Sequence, residues 1–157
     1  MKSPTAWCCG NKLTVSSDFE QCLERKKLFP SSRAKNLVAK ELSAAEEDYR
    51  EAEDRFRNQR YKYATITAYY STFHSVRALV FSKGYRERSH QCLRAALQRL
   101  FVSEGLLDSK WDRAFLNTMS LREDADYATE YSQEGAEIAL KHAKGLLEAA
   151  KRILNRK

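Results

Sequence analysis

Glycine and proline are scarce, with 5 and 2 residues in a chain of 157. Sandwiches and barrels turn often and usually need more of both, so the scarcity argues against them and for helices. Long apolar runs are missing: no stretch of 18 apolar residues occurs and mean hydropathy is −0.66, which excludes a transmembrane helix. The 4 cysteines contain no CxxC pair, so a zinc site lacks its usual ligand spacing. Met1 to Gly10 has no apolar centre of a signal peptide. Reduced thiols in a cytoplasmic protein are therefore expected, with Cys92 on a buried helix face and no disulfide framework. No Gly-rich phosphate loop, HExxH, GxSxG or EF-hand loop occurs. A di-iron bundle needs two inward Glu-x-x-His pairs, and Glu87–His90 supplies that spacing once, across a helix start. No metal ligand and no cofactor is assigned.

The net charge is +7 and uneven. Residues 1–40 hold 8 basic and 3 acidic groups, residues 41–104 hold 11 and 9, and residues 105–157 hold 9 of each. The excess sits in the N-terminal arm. A solvated arm explains it, and so does an arm that follows a phosphate backbone by displacing its counterions.

What is present is helical periodicity. Residues 1–17 show none and read as a flexible N-terminal extension to a single domain over 18–157. Asp18 opens a short helix with Phe19, Cys22 and Leu23 on one side, and Phe29-Pro30-Ser31-Ser32 then interrupts. From Ala34 to about Asn58 the apolar positions run Val38, Leu42, Ala45, Tyr49, Ala52, Phe56, at alternating steps of four and three. A second long helix runs from about Tyr61 to Lys83, with Tyr63, Ile66, Tyr69, Tyr70, Phe73, Val76, Leu79 and Val80. Its stripe is wider, which places it centrally, and Gly84 ends it in the left-handed conformation glycine tolerates. Ser89 caps a third helix that Gly105 closes, Asp108 opens a fourth with Trp111, Phe115 and Met119, and Ser132 opens a fifth. The helical period has no two-residue competitor, and the connections are short. The reading is all-α: an antiparallel up-and-down bundle of about five helices.

Two polar clusters interrupt the apolar pattern. Tyr70, His74 and Arg77 share a helix face at i, i+4 and i+7. They read either as core residues with one satisfied polar atom each or as part of a site. Leu121-Arg122-Glu123-Asp124-Ala125-Asp126-Tyr127 reads either as a local ion pair at a helix end or as a phosphate fork beside an aromatic face. We expect Arg122, Asp126 and Tyr127 to face Tyr70 and His74 across one groove. Arg122 would grip phosphate, the tyrosines would stack a base, and Asp126 would orient Arg122.

These segments together resemble the HEPN domain family, in particular its small stand-alone archaeal and bacterial members. The resemblance is carried by AYYSTFHSVRALVFSKGYRERSH, LFVSEGLLD, LREDADY and YSQEGAE, with the DFEQCLERKKLF lead-in and the AKELSAAEEDYREA helix, and it covers roughly residues 18–155. It implies a helical bundle, usually a homodimer, often paired with a small nucleotidyltransferase as a toxin–antitoxin module. Many members are metal-independent ribonucleases whose motif is an arginine, four to six residues, then a histidine. Arg122 matches the arginine, but Tyr127 stands at the histidine position and no histidine occurs from 123 to 141. A phenol with an ordinary pKa of about 10 is a poor general base at pH 7. The expectation is thus a nucleotide- or RNA-associated accessory module. The alternatives are a ribonuclease toxin in which His74 or His90 replaces the motif histidine, or a purely structural interaction domain. Tyr127 is also the candidate acceptor for nucleotidyl transfer, by analogy with members whose motif-adjacent tyrosine is modified.

Overall fold

A computed structural model describes residues 18–155. Its elements are helix α1 over 18–24, strand β1 (Leu28–Pro30), a 3-10 turn (Ala34–Leu37), α2 (Val38–Arg57) and α3 (Tyr61–Ser82). Strand β2 (Tyr85–Glu87), α4 (His90–Leu97), α5 (Ser109–Glu123) and α6 (Gln133–Leu154) follow. The architecture is the expected all-α bundle. Residues 1–17, read from sequence as a flexible extension, lie outside the described residues.

The helix ends follow local chemistry. The side chains of Ser89, Asp108 and Ser132 each accept a backbone N–H of the first turn they precede, from Cys92, Lys110 and Gly135. Gly84 and Gly105 take φ of +84° and +71°, the left-handed geometry that stops α3 and the helix before α5. Two helices do not stop where their regular hydrogen bonds end. A wider π-type turn extends α4 over Gln98–Val102, and another extends α5 over Asp124–Ala128. The second ends at Thr129, whose φ is +57°.

α3 is the central helix, as its wide stripe predicts, with Tyr69, Val76, Leu79, Val80 and Phe81 fully covered. It runs antiparallel to α2: Ser71 donates to the Ala45 carbonyl at 2.8 Å, and Ala68, about one turn earlier in α3, packs with Ala52, about two turns later in α2. Ala139 and Ala143 of α6 complete this small-residue seam. Short side chains let three backbones approach closely. Against α5, Thr72 and Thr118 share a hydrogen bond of 3.0 Å between buried hydroxyls. The aromatic stripe of α5 is core: Phe115 is fully buried, and Trp111 and Met119 pack beside it. Two members of the α3 stripe are not core: Tyr63 and Tyr70 lie at the surface.

Two features differ from the sequence expectation. β1 and β2 pair antiparallel, Phe29 opposite Arg86. Strands of three residues carry too little alternation to register as a period. Cys22 and Cys92, expected as reduced thiols, are joined in a disulfide across a separation of 70 residues. The β1–β2 pairing brings α1 against the start of α4 and sets the two Cα atoms 5.7 Å apart, within bridging range. Cys92 is buried, as expected. Among the described residues, no helix is long and apolar enough to cross a membrane.

Candidate functional site

The last turn of α5 and the π-type turn after it carry one cation into a group of tyrosines. The Arg122 guanidinium carbon lies 5.6 Å from the Tyr69 ring centroid, 6.0 Å from Tyr70 and 5.7 Å from Tyr127. These are distances at which a cation feels the negative face of an aromatic ring. Asp126 Oδ2 stands 2.9 Å from Arg122 Nε, yet Nε is buried without a hydrogen bond. The carboxylate therefore sits off the N–H direction and acts on Arg122 through charge. Burial works against the Arg122 charge, and Tyr70, Asp126 and Tyr127 offset it, leaving the guanidinium pKa raised. Tyr127 is 78% exposed, so its ring and hydroxyl open to solvent.

Tyr69 anchors the inner side. Its ring is fully buried and stacked on Phe115 at 6.2 Å and 10°. Its hydroxyl meets His90 Nδ1 at 2.5 Å. Burial raises the Tyr69 phenol well above its ordinary range, although Arg122 pulls it down. Burial, then the charges of Arg122 and Arg77, hold the His90 imidazole below the usual histidine range, against a smaller opposing effect of Glu123. His90 is thus neutral at pH 7 and electrostatically coupled to Arg122. The Ser89 cap fixes its place at the start of α4.

Four of the five expected site residues, Arg122, Asp126, Tyr127 and Tyr70, converge here. His74 does not join them through any of its contacts. Its Nδ1 lies 2.6 Å from Glu41 Oε2 and its Nε2 3.7 Å from Asp48 Oδ2, which ties it to α2. Arg77 extends that second network, 3.3 Å from Glu41 and 2.9 Å from the buried Glu87. Burial raises Glu87 despite Arg77. This network spans α2, α3 and β2. Phe73 stands between the two groups, 5.4 Å from the His74 ring and 4.7 Å from the His90 ring. The residue the sequence reading left out is Tyr69. Its signal was its place beside Tyr70 in a helix buried on most sides, which leaves one of two adjacent tyrosines facing inward.

The chain matches the HEPN domain family over residues 38–153. It is 31% identical over 114 residues to "Putative toxin MJ0605" of Methanocaldococcus jannaschii, covering 72% of this chain and 85% of that protein. It is 27% identical over 100 residues to a Thermotoga maritima protein named UPF0332, covering 62% of this chain and 76% of the relative. A further relative, "Putative toxin MJ0142" of M. jannaschii, is 26% identical over 124 residues, covering 78% and 84%. The chain belongs to the HEPN domain family.

Proposed function

We propose that this HEPN-domain protein is a nucleotide- or RNA-associated accessory module, and that Arg122 with Tyr70 and Tyr127 forms its binding groove. One observation carries the reading: a single guanidinium stands among three tyrosine rings at the edge of the bundle, with the outermost ring open to solvent. A guanidinium matches a phosphate, and a tyrosine face accepts any base. Asp126 orients the guanidinium, since carboxylate and phosphate repel. The toxin names of two relatives support a place in a toxin–antitoxin pair, and the family resemblance supports a homodimer with a small nucleotidyltransferase as partner. Sedimentation at micromolar concentration tests the dimer, and a species near 18 kDa would remove it. The groove is tested by Arg122→Ala. The variant should keep its melting temperature and lose binding of a short RNA. A lowered melting temperature with binding intact would reduce Arg122 and Asp126 to a structural pair.

A second reading has its own observation. His90, neutral at pH 7, lies under the influence of Arg122 and bonds to Tyr69. A neutral imidazole near an arginine is the pairing a metal-independent ribonuclease uses. Cleavage of a mixed RNA pool by metal-free protein, abolished in His90→Ala, would select this reading.

A further inference from the structure

We infer that a second nucleotide-binding station lies at the far end of the same flank of α3, built from Arg60, Lys62, Tyr63 and Tyr131. It takes the neighbouring phosphate and base of one RNA strand whose other end is held at Arg122, and so rests on the groove proposed above.

The argument starts from cations without carboxylates. The Arg60 guanidinium lies 5.0 Å from the Tyr63 ring centroid, and the Lys62 ammonium 5.6 Å from it. Arg55 also approaches this ring, at 5.7 Å, but Glu51 holds it at 2.8 Å. None of the ion pairs among the described residues engages Arg60 or Lys62. Two positive charges next to an exposed aromatic face are therefore available to an anion. Opposite them, across a hollow of about 330 Å³, stand Thr129 and Tyr131. Tyr63 is 42% and Tyr131 52% exposed. No carboxylate lines this hollow. Asp124 and Glu130 instead line an adjoining one that also borders Tyr131, where phosphate is repelled.

The backbone links the two stations. Tyr63 and Tyr70 are seven residues apart, two turns, so they share a face of α3 about 10 Å apart. The facing segment runs the other way: Arg122 and Tyr127 lie beside Tyr69 and Tyr70, while Thr129 and Tyr131 lie beside Arg60 and Tyr63. Gln59 and Thr129, one at each lip of the hollow, both hold left-handed backbone, φ +60° and +57°. Side chains with a β-carbon adopt that region at a cost. Exposed tyrosines on two antiparallel flanks, with the unpaired Arg60 and Lys62 at one end and Arg122 at the other, suit a single strand. Its bases are free to stack on side chains, whereas a duplex hides them.

The test uses the full chain, uridine monophosphate, a single-stranded oligouridylate and an RNA duplex. In Arg60→Gln/Lys62→Gln, both at positions outside the core, the monophosphate should bind one site per chain where wild type binds two. Affinity for the oligouridylate should fall about tenfold or more, and its salt slope should shrink by about 1.4, two phosphate contacts on a single strand. Tyr131→Ala, an independent exposed position, should weaken the oligouridylate and this second monophosphate site. Unchanged oligouridylate affinity and slope in both variants, with binding still lost in Arg122→Ala, would overturn the second station and leave the first. Equal affinity of wild type for duplex and single strand would overturn the strand class. Wild type that binds neither probe at low salt would remove both stations together.

Discussion

The Tyr69 hydroxyl and His90 Nδ1, 2.5 Å apart, join the centre of α3 to the first residue of α4. The bond sits beside Arg122 and gives the site a titrating group. Burial and the neighbouring cations lower the folded pKa of His90, while the unfolded ring titrates near pH 6.5. Between the two values the unfolded chain binds more protons, so stability rises with pH. The contribution of His90 is whole above about pH 6.5 and is lost as pH falls through the folded value. His142, lowered by burial and by Lys141, acts in the same sense. Asp48 and Glu87, raised by burial, act in the opposite one, their contribution fading as pH rises through their folded values. Subtracting the profile of His90→Asn isolates His90. Wild type should gain stability from pH 5 to 7.5 more steeply than the variant in urea melts. Equal slopes would show that His90 titrates as a solvated ring.

The Cys22–Cys92 bond closes a long loop and restricts the unfolded chain. Loss of such a bond costs about 4 kcal/mol. Cys22→Ser should therefore melt well below oxidised wild type, and dithiothreitol should lower the wild type while leaving the variant unmoved. No response of wild type to reductant, with both thiols alkylated under native conditions, would contradict the bond.

α4 and α5 are pinned by one carboxylate. Arg94 donates from Nε and Nη2 to the two oxygens of buried Asp112, at 2.8 and 2.9 Å, and Gln98 adds a third bond at 3.0 Å. Asp112→Ala strands these donors and should cost about 3 kcal/mol in chemical denaturation. A cost under about 1 kcal/mol would mean that water replaces the carboxylate.

Much of this was written locally in the chain. The caps at Ser89, Asp108 and Ser132 and the left-handed Gly84 and Gly105 act through their nearest neighbours, and all are visible in the residues. The convergence of Arg122, Asp126 and Tyr127 on Tyr70 follows from spacing within two segments and one packing step. The remainder depends on distant partners. Glu41 and Asp48, on another helix, draw His74 aside. Cys22 meets Cys92 only because two three-residue strands pair. Tyr69 differs from Tyr70 only by the face it turns to α5, and one sequence does not fix that rotation.

Tyr127 separates binding from modification. Its exposed hydroxyl is the candidate acceptor for a nucleotidyl group. Attack on the α-phosphate of a nucleoside triphosphate forms the tyrosyl ester and releases pyrophosphate. Co-expression with a small nucleotidyltransferase should add one nucleotidyl mass to wild type and none to Tyr127→Phe. An equal gain in the variant would place the acceptor elsewhere.

Arg122 tests the central claim most directly, because its buried Nε–H lacks a hydrogen-bond acceptor and Asp126 is off its axis. That N–H is observable in a nitrogen-15 correlation spectrum and can be assigned by its loss in Arg122→Lys. On titration with a short single-stranded RNA in low salt, it should shift saturably, together with the Tyr127 ring signals. An Arg122 signal that stays in place while RNA saturates the protein elsewhere would contradict the account.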